Sequence, residues 1–177
     1  MKVIIDTNSL LSLVRYYLPF DKENLLFNFI KEKIEIGEII IIDKVYEQCT
    51  YNAKGLILKQ LAFLTDKSFL KKSKTPYKTD SLIAPSPAKF LRMVENQFVV
   101  GVQRKKINDV EFEVKKNQHL EDADIKLIVL CLNLIKNGEN VYLVTEETTG
   151  SNDNKLFVKI PVMCRELSIK CITLPKL

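Results

Sequence analysis

Six carboxylates stand where a fold can gather them. The chain opens "MKVIIDTNSL", in which three β-branched residues run straight into Asp6, and "DKVYEQ" sets Glu47 one turn into a helical pattern after a second apolar run. "EDADIKLIVL" places Asp122 and Asp124 at the head of a long apolar segment, while "VYLVTEETTG" follows a third apolar run with Glu146 and Glu147. Each acid has a modest explanation. Asp6 and Asp122 suit helix N-caps, acids in a first helical turn favour the macrodipole, and the three glutamates suit a solvated surface. Against this stands a coincidence: a chain with 27 Lys and Arg against 22 Asp and Glu collects acids at the same end of four consecutive units. Carboxylates brought close repel one another unless a divalent cation lies between them. An all-oxygen donor set calls for Mg²⁺ or Mn²⁺, ions that neutralise and position phosphate and lower the pKa of a coordinated water. His119 is the one histidine in the chain. Activation of water by a metal is therefore the more economical route, and phosphodiester hydrolysis is the expected chemistry.

Four short runs are expected to be the strands that deliver these acids: residues 2–5, 38–42, 141–145 and 169–174. Their nearly continuous apolar character suits a sheet covered on both faces. Helical patterns lie between them. Residues 9–14 form a first turn, and 22–37 place Leu25, Leu26, Phe29, Ile30 and Ile34 on one stripe that Gly37 ends. Residues 43–64 follow the second strand with Asp43 as N-cap. Pro76, Pro85 and Pro87 mark 74–87 as a loop, after which Pro87 opens a helix over 87–98. Residues 121–138 are apolar nearly all round except near Lys126, Asn133 and Lys136, which predicts a central buried helix stopping at Gly138. A short helix around 162–168 completes the last crossover. Strands alternating with helices imply right-handed crossovers and a mainly parallel sheet in a three-layer α/β/α domain, with ligands beyond the carboxyl ends of the strands. In that arrangement the first strand is central and Thr7, Asn8 or Ser9 caps the next helix, leaving Asp6 free.

Composition narrows the classes. At 177 residues and 46% hydrophobic content, one domain with a substantial core is expected. The longest apolar stretch, "IKLIVLCLNLI", is too short to cross a bilayer, and no secretory signal precedes the first strand, so the expectation is a cytoplasmic protein without a membrane partner. Cys49, Cys131, Cys164 and Cys171 form no C-x-x-C pair and read as reduced core residues, which argues against zinc. Phosphate-cradling glycine motifs and a G-x-S-x-G elbow are absent, and a haloacid-dehalogenase-like phosphatase would need a second Asp where Asn8 stands. The net charge of +5 is uneven. "DKSFLKKSKTPYK", with Lys71, Lys72 and Lys74, and later Arg104 and Lys105, can track a phosphate backbone, although solvated lysines read the same way.

At the level of motifs the sequence resembles the PIN-domain proteins, small metal-dependent ribonucleases that include the toxins of many bacterial and archaeal toxin-antitoxin pairs. "VIIDTNSLL" resembles the first motif, which implies Asp6 as a metal ligand supported by Thr7 and Asn8. "IIDKVYEQ" resembles the second and implies Glu47. "EDADIKLIVLCL" resembles the third and selects Asp122, with Asp124 as a supporting or alternative ligand. The fourth motif commonly reads Thr, any residue, Asp. Here "VTEETTGSND" offers Thr145 followed by Glu147, with Glu146 beside it and Asp153 further on. The ending "KIPVMCRELSIKCITLPKL" resembles a subgroup of PIN-like proteins that also carry Glu after this strand. The resemblance implies a Mg²⁺- or Mn²⁺-dependent endoribonuclease with Asp6, Glu47, Asp122 and Glu147 as its catalytic acids. RNA is then the substrate, and an antitoxin protein and a second copy of the chain are further partners. Residues 65–117 exceed what a minimal member needs and read as an extended helical and loop insertion. A rival reading is a PIN-like module that has lost catalysis and binds RNA or protein. A third is a DNA nuclease related to flap endonucleases.

Overall fold

The valine- and isoleucine-rich runs pair into one four-stranded sheet, all of it parallel, in the order β2-β1-β3-β4. The computed structural model describes residues 1–150 and 154–177. The strands are β1 (Lys2–Ile5), β2 (Ile39–Ile40), β3 (Val141–Val144) and β4 (Lys170–Ile172). Both long strands are inner ones, with Lys2 opposite Val141 and Ile5 opposite Val144. Val3, Ile4 and Ile5 are buried, as a strand covered on both faces must be. Helices on the two faces complete the three-layer α/β/α architecture expected from the alternation of elements.

The edge strands are shorter than their apolar runs because each has one neighbour to pair with. Beyond β2 the chain meets the proline-rich loop instead: the Tyr77 amide donates to the Ile41 carbonyl and the Asp43 amide donates to the Tyr77 carbonyl, both at 2.9 Å. Ile42 and Tyr77 form a parallel bridge there.

Helices α1 (Thr7–Ser12), α2 (Leu25–Glu35), α3 (Asp43–Tyr51), α4 (Leu56–Gln60) and α5 (Lys67–Ser73) make up the first half. Helices α6 (Pro87–Asn96), α7 (Gly101–Arg104), α8 (Asp109–Glu121), α9 (Ala123–Lys136) and α10 (Ile160–Glu166) make up the second. Three expectations are corrected. The α2 stripe buries Ile30 and Ile34, but Leu25 and Phe29 are exposed, and Phe27 makes the aromatic contact, edge-on to Phe63 at 5.4 Å. Residues 43–64 are not one helix, since Ala53, Lys54 and Gly55 all take positive φ and turn the chain between α3 and α4. The N-cap of α3 is Ile42, and Asp43 is its first helical residue. By contrast α9 is the central helix its composition predicts, buried from Ala123 to Cys131 except at Asp124, which is partly exposed.

The stretch 65–117 is tied into the same core. Its Phe69, Phe90, Val94, Phe98 and Phe112 belong to one apolar cluster with Ile4 and Leu127. All four cysteines are free thiols, three of them buried and Cys171 half-buried. Among the described residues no helix is long and apolar enough to cross a membrane.

Candidate active site

Parallel pairing of β1 with β3 carries the chain to two adjacent exits at the carboxyl edge of the sheet, and an acid stands at each. Asp6 follows β1 as the N-cap of α1. One of its oxygens, Oδ1, accepts the Thr7 amide at 2.6 Å, and the other, Oδ2, accepts the Thr145 hydroxyl at 3.0 Å. Asp6 is thus the cap itself, not a carboxylate left free by Thr7, Asn8 or Ser9. Those three do other things: the Thr7 hydroxyl donates to the Gln48 side chain, Asn8 is exposed, and the Ser9 hydroxyl is buried without a hydrogen-bond partner among the described residues.

Thr145, 1% exposed just past β3, links two of the acids. While its hydroxyl donates to Asp6, the same oxygen accepts the Glu147 amide at 3.2 Å. The Glu147 carboxylate turns inward. Its Oε2 accepts the Ile160 amide at 3.1 Å, and its Oε1 lies 3.7 Å from the Lys155 ammonium. The segment entering α10 thereby holds the acid that follows β3.

The third member is Asp124, in the first turn of α9. No hydrogen bond to its carboxylate is found among the described residues. Burial pushes its carboxyl up to about 7, the negative charges of Asp6 and Glu147 add to the rise, and Lys155 opposes it. Burial likewise raises Asp6 to about 6, against the Thr145 hydroxyl and the Thr7 amide, which favour its charged form, and with a further push from Glu147. Three elements therefore bring three acids into mutual electrostatic contact in a partly dry place.

The remaining sequence candidates fall elsewhere. Asp122 is the N-cap residue of α9 but makes no capping bond, and its side chain is 64% exposed, with Oδ2 3.4 Å from the His119 Nδ1. His119 is buried and stacked on Phe157 with centroids 4.0 Å apart, and its burial lowers its pKa. Asp124 thus takes the inward place assigned to Asp122. Glu47 is exposed and lines a cavity of about 460 Å³ with Asp43, Tyr46, Lys78 and Asp80. What α3 turns toward the Asp6 corner is Gln48, bonded to Thr7, a residue the motif comparison passed over. Glu146 accepts the Leu174 amide at 2.8 Å and so ties down the end of the chain. Asp153 lies outside the described residues.

The basic candidates are dispersed. Lys72 pairs with Glu35 at 3.0 Å, and Arg104 lies over the Phe112 ring at 4.3 Å while pairing with Asp109. Lys71, Lys74 and Lys105 are exposed. None of these five lines the cavity beside Glu147, which is formed by Thr145, Glu147, Arg165, Lys176 and their neighbours.

Chemically, the three acids offer hard oxygen donors, which match Mg²⁺ or Mn²⁺ in kind. Among the described residues, however, no group of three or more His, Cys, Asp or Glu side chains is disposed to hold a metal ion. The donor types fit such an ion, and closing them around it would require side-chain movement, for which the loosely held Asp124 carboxylate is the best placed. The family model described as "Domain of unknown function (DUF4411)" matches residues 3–177. No curated protein and no solved structure matches the chain.

Proposed function

We propose that this chain, which belongs to the DUF4411 family over residues 3–177, is a divalent-metal-dependent ribonuclease that hydrolyses RNA phosphodiester bonds. The observation that carries the reading is the convergence of Asp6, Asp124 and Glu147, with Asp124 raised to about 7 by burial and by its two acidic neighbours. Such a cluster opposes its own ionisation, and a cation relieves that opposition. Perturbed carboxylates gathered at the carboxyl edge of a parallel sheet are also where an active site is expected. The likeness of "VIIDTNSLL" and "EDADIKLIVLCL" to PIN-domain motifs supports the same reading.

Asp6, Asp124 and Glu147 would hold Mg²⁺ or Mn²⁺. When bound, that ion supplies Lewis acidity toward a phosphate oxygen and makes a neighbouring water more acidic. The chain's own residues do the rest. Thr145 and the Thr7 amide fix the Asp6 carboxylate, and the Ile160 amide and Lys155 fix Glu147. Asp124, which has no such tie among the described residues, would give up its proton as the ion binds. An antitoxin protein is a partner this reading allows.

Incubation of a mixed RNA pool with Mn²⁺ tests it: wild type should produce fragments, and Asp6→Asn should leave the pool intact. Equal cleavage by both proteins removes Asp6 from the chemistry.

One observation favours a second reading, a module that binds RNA or protein without cutting. Both Glu147 oxygens are already engaged and α3 brings an amide, Gln48, where a further acid would help. A thermal-shift titration separates the two. Stabilisation by Mn²⁺ that vanishes in Asp6→Asn supports the nuclease, whereas indifference to Mn²⁺ supports the module.

A further inference from the structure

The cavity beside Glu147 has a character of its own. It measures about 470 Å³, within the size range of small-ligand sites. Thr145 and Glu147 line it from the acid cluster, and Arg165, Lys176 and the hydroxyl-bearing Thr148 and Thr173 line it as well. It therefore begins at the acids and carries two cations away from them.

Among the described residues those cations are not strongly committed elsewhere. Arg165 approaches Glu166 at 3.6 Å, and its side chain is 67% exposed. A loose surface pair of this kind costs little to exchange for a better anion. Lys176 has no ion pair among the described residues. Guanidinium and ammonium groups flanked by threonine hydroxyls suit a phosphate and the hydroxyls of a sugar. Aliphatic Ile169 and Ile172 supply the apolar part of the lining. Among the described residues no aromatic ring lines the cavity, so they offer no platform on which a base would stack.

Taking the ribonuclease reading as its basis, we propose that this cavity seats a phosphate and ribose of the RNA strand next to the bond at the acid cluster, with Arg165 and Lys176 as the groups that hold the phosphate. The seat holds backbone and does not read bases, so binding through it is tolerant of sequence. It also places the strand on the β4 side of the acids, away from the lysine-rich segments that composition alone singles out.

The test is fluorescence anisotropy of a short labelled single-stranded RNA of mixed sequence in EDTA, at several salt concentrations. Arg165→Gln and Lys176→Gln should each weaken binding roughly three- to tenfold and lower the salt slope by about 0.7, the share of one phosphate contact. Lys136→Gln, at the far end of α9 from Asp124, should bind as wild type does. Thermal midpoints equal to wild type confirm that the variants are folded. Wild-type affinity and slope in both cavity variants overturn the proposal, as does a wild type that binds no RNA. Cleavage with Mn²⁺, read on the same proteins, separates this inference from its basis. Variants that bind and cut like wild type sink the cavity and leave the nuclease standing. Weakened binding by the variants, with no cleavage by any protein, sinks the nuclease and leaves the cavity as an RNA seat.

Discussion

Asp6 and Asp43 make an instructive pair. Each follows an isoleucine-rich run of a parallel strand, and each stands at the start of a helix. In sequence they are near equivalents, "VIID" against "IIID". Their surroundings differ. Burial raises Asp43 too, but the Thr79 hydroxyl at 2.6 Å, the Thr79 amide at 2.9 Å and the Lys44 amide at 2.9 Å outweigh it, with help from the charge of Lys78, so the Asp43 pKa falls below the ordinary value. Asp6 is buried more deeply, which outweighs the Thr145 hydroxyl and the Thr7 amide, and the charge of Glu147 adds to the rise, so its pKa reaches about 6. One aspartate is spent as a clasp between α3 and the loop that lies along the sheet edge. The other keeps its charge in tension, and tension of that kind is what a cation or a proton can release. Depth of burial and neighbouring charge decide between the two fates, and neither is a property of the local sequence.

The largest expected effect is on cleavage. Asp124→Asn should lower the Mn²⁺-dependent rate on the order of 100-fold or more, while Asp43→Asn in folded protein leaves it nearly unchanged. A comparable loss in Asp43→Asn would erase the contrast. Next comes the pH dependence of stability. Asp6 and Asp124 are both raised from 3.8, to about 6 and about 7, so between those values the folded chain binds more protons than the unfolded one. Metal-free stability should therefore fall as the pH rises from about 4 to 7, by on the order of 5 kcal/mol. Urea midpoints across that range check this, and Asp124→Asn should flatten the curve. A midpoint that rises with pH over the same window contradicts the desolvated cluster. Asp43→Ala should cost about 1–3 kcal/mol at neutral pH by stranding the Thr79 donors, again read by urea unfolding. The smallest effect belongs to Glu47→Gln. Exposed and outside the cluster, it should shift stability by no more than about 0.5 kcal/mol and leave the cleavage rate within about twofold.

Much of the frame was legible. Period and β-branching marked all four strands, and the rule that ligands sit beyond the carboxyl ends of parallel strands pointed to Asp6 and Glu147. The geometry departs from the motif reading in phase. Residues two apart on a helix differ by about 200° around its axis, so whether Asp122 or Asp124 faces inward rests on where α9 starts to wind. Asp124 was the inward one, and Asp122 turned out toward His119 and solvent. The same one-step uncertainty on α3 exchanges Glu47 for Gln48. The cap at Asp6 was misread for a different reason: a carboxylate has two oxygens, and here one caps while the other accepts Thr145. Lysine-rich composition says nothing of pairing: Lys72 and Arg104 each have an acid to answer them, while Arg165 and Lys176 sit singly in mostly apolar stretches.

The bond from Thr145 to Asp6 joins residues 139 positions apart, and that separation has a consequence in time. Asp6 is translated well before its partner strand β3 and the acid that follows it. β1 can meet β2 early but must wait for β3 on its other side, and long-range parallel pairing of this kind is slow to form. A chain that has not yet reached β3 and the segment entering α10 therefore has no assembled acid cluster.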